Sequence, residues 1–370
     1  MEIVPYTPAH REAVQRLDAR LEEAGSEWRF PARERPAGAE DLAVWTESFV
    51  VLDGEEVCGG YVLKHQTFFL EGRPVDVGGF FMPLSLGEFD SRYANVGVAL
   101  LFDAMRRSPY LYSLGLGSEE TQFARLLSAA RWQHLTVPFY FSVKRGNTFA
   151  RNIRLPAGMA RMQSALRVLG SLRLAGAGLG LRARVRSRSV RPPGLPRPAT
   201  SVRELSGFDS SADGLFAGVR ASYVLVADRS AAALRELYPE TEPRYLRLAV
   251  ASGGRPLGWA LALDTAMRDD KYFGDMRVGS IADCLAAPDD ALSVVAAADE
   301  FLARRGVDVV VSNQLDARWG EALESVGYER GPSNFFFYFS EELAHKLGAT
   351  ADWERATHLN RGDGEGPAHL

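Results

Sequence analysis

The order of apolar and polar positions along the chain reads as one series of elements written twice. In the first half, a short strand at residues 2–6 precedes a helical stretch over 9–21, in which Val14, Leu17 and Leu21 fall on one face. The run Ser48-Phe-Val-Val-Leu-Asp-Gly-Glu-Glu-Val then predicts a β-hairpin, because Asp53-Gly54 supplies the positive φ angles of a tight turn. Its second strand covers 59–69, and a third, after the Glu71-Gly72-Arg73 turn, covers 75–84. A polar loop, a helix at 96–107, a strand at 110–116, a helix at 119–131 and a closing strand at 135–143 complete the half.

The second half repeats the series after its own opening strand and helical stretch. A hairpin at 245–251 and 257–263 turns on Ser252-Gly253-Gly254, followed by a third strand at 277–285, a helix at 290–305, a strand at 307–312, a helix at 319–326 and an aromatic closing strand at 334–339. Details agree too: Cys58-Gly59 answers to Leu257-Gly258, Pro83 to Pro288, and Met105-Arg-Arg-Ser to Ala303-Arg-Arg-Gly. The expected fold class is α+β, with two tandem domains at 1–150 and 200–345, each a mixed, mostly antiparallel sheet flanked by helices, and a tail at 346–370. In the connection at 151–199, Leu155, Met159, Met162, Leu166 and Leu169 keep helical spacing behind Pro156 and beside Arg154, Arg161 and Arg167. A helix packed on one domain and a helix lying on an anionic membrane surface through 151–191 both fit this pattern. A Pro-Pro-Gly-Leu-Pro-Arg-Pro linker ends it.

Composition narrows the classes. The 370 residues suffice for two cores, and no apolar run is long enough to span a bilayer. Met-Glu-Ile-Val-Pro has neither a basic head nor an apolar core, so a cytoplasmic protein is expected, with any membrane contact peripheral and at the inner face. Cys58 and Cys284 fall in strands of different halves without CxxC spacing, and the six histidines show no HxxxH pair, so buried thiols and no metal are expected. The net charge of −4 conceals an asymmetry: residues 121–203 hold 16 Lys plus Arg and no Asp or Glu, which leaves −20 on the rest. Arginine exceeds lysine 39 to 4 throughout, which accounts for Arg over Lys but not for the missing acids.

The order strand, helix, hairpin, third strand, loop, helix, strand, helix, strand, with Val57-Cys-Gly-Gly opening the second hairpin strand, resembles the GNAT superfamily of acyl-CoA-dependent N-acyltransferases. The resemblance covers both halves and implies a tandem GNAT-like protein that uses acetyl-CoA or another acyl-CoA as co-substrate. In that family a Gln/Arg-x-x-Gly-x-Gly/Ala loop holds the coenzyme A diphosphate on backbone N–H groups at a helix start, an arrangement suited to anions. The matching stretch is Ala94-Asn95-Val96-Gly97-Val98-Ala99, so the implied cofactor residues are Asn95, Val96, Gly97, Val98 and Ala99, with Arg92 standing in for the Gln or Arg that Ala94 replaces. A glycine in a first helical turn also serves close packing, and both readings of Gly97 stand. The second half reads Pro288-Asp289-Asp290-Ala291 at this point, too short for a cradle and carrying two carboxylates. It keeps Asn313 and Gly327-Tyr328 but has Leu323 where the family commonly places a tyrosine acid, which implies a degenerate domain.

Acyl transfer to an amine needs a base for the ammonium and a donor for the tetrahedral oxyanion. The strand-to-helix junction Gly115-Leu-Gly-Ser-Glu-Glu offers Glu119 as base and Ser118 as donor, although Ser118 also reads as an N-cap and the glutamates as first-turn acids. Glu88 and Asp90, ahead of Gly97, are candidates for binding the amine, while His65 and Asp76 sit on strands as structural residues. The tail sequence Arg361-Gly-Asp-Gly-Glu is similar to tails of some GNAT-like proteins associated with exopolysaccharide biosynthesis, and a disordered or loosely docked tail is expected. Three functions follow. The first is a single-site N-acyltransferase acting on an amine of a small molecule such as a sugar or lipid-linked precursor. The second is a Fem-like transferase using aminoacyl-tRNA gripped by the basic block. The third is a non-catalytic partner protein at the membrane surface.

Overall fold

The computed structural model describes residues 1–118, 120–154, 200–348 and 353–365. In chain order the first stretch holds β1 (Glu2–Pro5), α1 (Arg11–Glu23), β2 (Val44–Asp53), β3 (Glu56–Leu70), β4 (Arg73–Ser85), α2 (Val96–Arg107) and β5 (Leu111–Leu116). Then come α3 (Gln122–Ala129), β6 (Gln133–Thr136), β7 (Phe139–Val143) and α4 (Gly146–Asn152). After the connection follow β8 (Thr200–Leu205), α5 (Ser211–Val219), β9 (Leu225–Ala227), α6 (Ala231–Leu237), β10 (Leu246–Ser252), β11 (Arg255–Ala266) and β12 (Arg277–Ala286). The chain closes with α7 (Ala291–Arg305), β13 (Val309–Asn313), α8 (Ala317–Val326), β14 (Glu329–Gly331), β15 (Phe335–Phe339), α9 (Glu341–Gly348) and β16 (Thr357–His358). The amphipathic helix expected from Pro156 onward lies outside the described residues.

Two mixed sheets result, as the duplicated pattern requires. The first runs β1-β2-β3-β4-β5-β15-β6, with β9 beside the far end of β3; the second runs β14-β7-β13-β12-β11-β10-β8. In each, one parallel pairing sits among antiparallel ones, β4 with β5 and β12 with β13. The fold is therefore α+β, two units each built on a mixed, mostly antiparallel sheet flanked by helices.

The strand beside the fifth position of each sheet comes from the other half of the sequence. The closing strand expected at 135–143 is two strands: β6 stays in the first sheet, and β7 pairs with β13 in the second. Val137-Pro138 divides them, and Pro138, which has no N–H to give a ladder, instead accepts a hydrogen bond from the Gln314 N–H at 3.2 Å. Reciprocally, the aromatic strand β15 is inserted between β5 and β6. The compact units are accordingly discontinuous, unlike the expected blocks at 1–150 and 200–345. One comprises Met1–Thr136, Val224–Asp228 and Asn334–Trp353, the other Val137–Tyr223, Arg229–Ser333 and Glu354–Leu370.

In the first unit, Val14, Leu17 and Leu21 of α1 and Leu100, Leu101 and Ala104 of α2 pack with Phe49, Tyr61, Leu63 and Phe80 on one sheet face. Gly59 sets how close α2 comes: a Cβ there would lie 2.7 Å from the Leu84 carbonyl oxygen and 2.7 Å from Val96 Cγ1. Gly258 does the same in the second unit, where a Cβ would lie 2.8 Å from Ala286 Cβ and 2.9 Å from Val294 Cγ2. The pairing of Gly59 with Ser85 and of Gly258 with Ala286 fixes the correspondence of the two sheets. By that correspondence Pro83, inside β4, and Pro288, beyond β12, are not equivalent; Cys284 stands where Pro83 does.

Candidate functional site

The first unit's sheet opens in its middle. The strands β4 and β5 pair at Gly78↔Leu111 and Gly79↔Tyr112, and there the ladder stops, although β4 continues to Ser85 and β5 to Leu116. On the other edge of β4 the register with β3 passes from Val62↔Phe81 to Gly60↔Leu84, so Met82 and Pro83 form a bulge, with Met82 at φ 46°. A bulge bends its strand, which carries the end of β4 away from β5. Residues Met82 to Ser85 are left half-buried, whereas the corresponding stretch of β12, Asp283 to Ala286, is wholly buried.

At the end of β4 the chain makes two short 3-10 turns before α2. Ser85 Oγ accepts the Gly87 N–H at 2.9 Å, and the Asp90 carboxylate accepts the Arg92 N–H at 3.1 Å, so the loop is shaped without a ligand. The first turn of α2 contains no acid, and its N-cap residue, Asn95, makes no side-chain capping bond. The opening N–H groups of a helix have no partner within it, so Val96, Gly97 and Val98 present the positive end of α2 beside the open sheet. Asn95, Val98 and Ala99 are exposed and Gly97 half-buried, whereas the Val96 side chain is buried in the core. A Cβ on Gly97 would meet only Leu126 Cδ2, at 3.8 Å, so protein packing does not require a glycine there.

Charged residues surround this loop. Arg92 spends its guanidinium on Asp90, with Nη2 to Oδ2 at 2.6 Å, and Arg20 of α1 reaches the same oxygen at 3.5 Å. The hydrogen bonds from Arg92 hold the Asp90 carboxyl below its usual range. Asp90, expected to bind the amine, is instead matched by two guanidiniums, which also flank the Tyr93 ring at 5.7 and 5.4 Å. The cluster is net positive and adds Arg20, which sequence spacing could not place because it arrives from α1, 70 residues away. Glu88 is exposed, one turn ahead of Asp90.

The second group of candidates follows β5. Ser118 is exposed, and its Oγ accepts the Glu120 N–H at 3.2 Å. The N-cap of α3 is Thr121, whose hydroxyl accepts the Ala124 N–H at 3.2 Å, so the helix starts three residues later than the sequence indicates and Ser118 is not its cap. Glu119 lies outside the described residues. Among the candidates expected to be structural, His65 stacks on Trp45 at 3.7 Å and bonds Glu47 at 3.0 Å, and Asp76 accepts from Thr67 at 3.0 Å.

In the second unit the corresponding place is filled: β12 has its own bulge at Ala282, its ladder with β13 stops before it, and the tail bonds to both strands beyond that point. The ladder of β12 with β13 runs through four pairs to Ile281↔Ser312. Asp289 and Asp290 stand at the start of α7, and Asp290 is held by Arg255 through two bonds of 2.9 Å. The tail, expected to be disordered or loosely docked, is buried instead: Thr357, His358, Asn360 and Asp363 are at 0% exposure, with Asn360 bonded to Asp283 of β12 and Asp363 to the buried Arg229. Leu323 is buried in the core, and Tyr328 gives its hydroxyl to Asp299 at 2.8 Å. Cys58 and Cys284 are both free and buried, and the described residues contain no group of three or more His, Cys, Asp or Glu able to hold a metal ion. Among the described residues no helix is long and apolar enough to cross a membrane.

No protein-family model matches the sequence, and no curated protein matches it. Solved structures do. A conserved protein of unknown function from Enterococcus faecalis V583, described as a probable N-acyltransferase, is similar over 94% of this chain and 74% of its own, at 10% identity and TM-score 0.54. The Saccharomyces cerevisiae N-myristoyltransferase with bound myristoyl-CoA matches over 92% and 82%, at 12% identity and TM-score 0.52. A GCN5-related N-acetyltransferase from Kribbella flavida matches over 93% and 72%, at 14% identity and TM-score 0.50. At such identities the likeness is one of fold, and the chain shares along nearly its whole length the fold of GNAT-type N-acyltransferases.

Proposed function

We propose that the protein is an acyl-CoA-dependent N-acyltransferase with one working site, in the first unit, and that its acceptor is the amine of a small molecule, of the class of a sugar or lipid-linked precursor. The observation that carries this reading is the parting of β4 from β5 after two residue pairs, beside an uncapped, acid-free helix start. A thin, amide-bearing chain fits between two strands that have ceased to pair, and its diphosphate fits the N–H groups of Val96, Gly97 and Val98. Arg20 and Arg92 add positive charge. The yeast enzyme of the same fold was solved with myristoyl-CoA bound, which supports an acyl-CoA as donor.

In the reaction the amine nitrogen attacks the thioester carbonyl carbon, a C–N bond forms, and the C–S bond breaks to release coenzyme A as thiol. The proton lost by the amine passes to a base, which we assign to Glu119, and from it to the departing thiolate sulfur, and the oxyanion is met by Ser118 or by a backbone N–H at the Met82 bulge. Saturating acetyl-CoA or a longer acyl-CoA, at 100 times its Kd, should stabilise the fold by about 2.7 kcal/mol and raise its melting temperature by several degrees. No shift with any acyl chain would contradict the proposal.

A further inference from the structure

The C-terminal segment occupies a particular place in the second unit. On one side it lies along the continuation of β13: the Leu315 N–H donates to the Leu359 carbonyl at 3.0 Å, and Gln314 and Asn360 form an antiparallel bridge. Asn313 Oδ1 accepts from Arg361 Nε at 2.9 Å. On the other side it meets β12 at Asp283, which takes the Asn360 amide at 2.8 Å. Asp283 stands three residues before Ala286, as Met82 stands three before Ser85. The tail thus sits between the two strands whose counterparts part in the first unit.

The recognition chemistry there is specific. Arg229, at 0% exposure, holds Asp283 at 2.8 Å and Asp363 at 2.6 Å, so one buried guanidinium is shared by a carboxylate of the body and one of the tail. Tyr238 donates to Asp283 at 2.5 Å. Gly362 passes so near this cluster that a Cβ would fall 2.7 Å from Asp283 Oδ2 and against the Tyr238 hydroxyl. The tail also holds its own shape, with the Gly362 N–H on Asn360 Oδ1 and the Asn360 N–H on Asp363 Oδ2, both at 2.9 Å. His358 is fully buried, edge-on to Tyr223 at 4.8 Å and Trp319 at 5.9 Å.

We infer that the space between β12 and the continuation of β13 is a peptide-binding slot, and that Thr357–Asp363 is its ligand, bound in cis. The slot reads an Asn-x-Gly-Asp sequence: the amide on Asp283, the glycine under Tyr238, and the carboxylate on Arg229. This inference does not rest on the acyl-CoA reading, and its test contains no coenzyme A.

A full-length chain in which a specific protease site replaces residues 349–352 is cleaved after purification. The freed C-terminal piece should co-elute with the body and exchange with a labelled synthetic peptide of residues 354–365. Asp363→Ala in that peptide should weaken its binding by on the order of thirtyfold or more, the loss expected when one partner of a buried charge pair is removed. If the body unfolds once the piece is lost, adding the native peptide during refolding should restore it. In the uncleaved chain, Gly362→Leu should lower the melting temperature. Immediate loss of the piece from a body with unchanged melting, failure of the peptide to restore an unfolded body, equal binding of native and Asp363→Ala peptides, or an unaltered Gly362→Leu chain would each overturn the inference.

Discussion

Gly97 separates a ligand role from a packing role by a single methyl group. Since a Cβ there finds its nearest neighbour at 3.8 Å, Gly97→Ala should leave the free protein as stable or stabilise it by up to about 1 kcal/mol, the ordinary gain of alanine over glycine in a helix. Gly97→Glu should leave the fold intact and abolish stabilisation by acyl-CoA, because it places a carboxylate at the helix start. Thermal melts of both variants with and without ligand check the pair. Asp103, on the buried side of the same helix, has a different task. It accepts from Tyr61 at 2.8 Å and from Arg107 at 2.7 Å. Burial opposes its ionisation, but the hydrogen bonds from Arg107 and Tyr61 outweigh it and leave the carboxyl below its usual range. A group that titrates lower in the fold than in the unfolded chain stabilises fully above the ordinary carboxylate range and loses that contribution as pH falls through the folded value. Denaturant unfolding should therefore show Asp103→Asn less stable than wild type by about 1–3 kcal/mol at pH 7, with the gap closing below pH 4.

The repeated element order was legible because hydrophobic period, turn residues and glycine positions all point the same way. Helix α2 begins and ends as its spacing predicts, and both hairpins turn at their glycines. The origin of the strand beside β5 was not legible. A buried strand such as Phe335-Phe-Phe-Tyr-Phe carries no mark of which sheet it joins, and either sheet offers it an antiparallel neighbour. The parting of β4 and β5 was equally hidden, since it depends on a bulge at Met82 and on where the parallel ladder stops. Arg20 reaches the loop through packing of α1, which spacing does not show. Gly59 and Gly258, read only as a matched pair, turn out to set helix against strand in both units. Alanine at either should cost about 1–3 kcal/mol by overpacking, measurable by denaturant unfolding. Gly59→Ala should in addition weaken acyl-CoA binding, because Val96 of the helix start is what the new methyl meets, whereas Gly258→Ala should leave binding unchanged.

Across the whole molecule, two units of one plan differ at the corresponding place in their sheets. The first keeps an open sheet and a helix start free of acids; the second fills the corresponding place with its own tail and sets Asp289 and Asp290 at its helix start. The acid-free block from 121 to 203 stays a feature of sequence, since most of it lies outside the described residues. Isothermal titration of the full chain with an acyl-CoA distinguishes one working site from two or none. One equivalent should bind per chain, with no binding to Gly97→Glu and undiminished binding to Gly258→Ala. Two equivalents, none, or one that survives Gly97→Glu would contradict a single working site in the first unit.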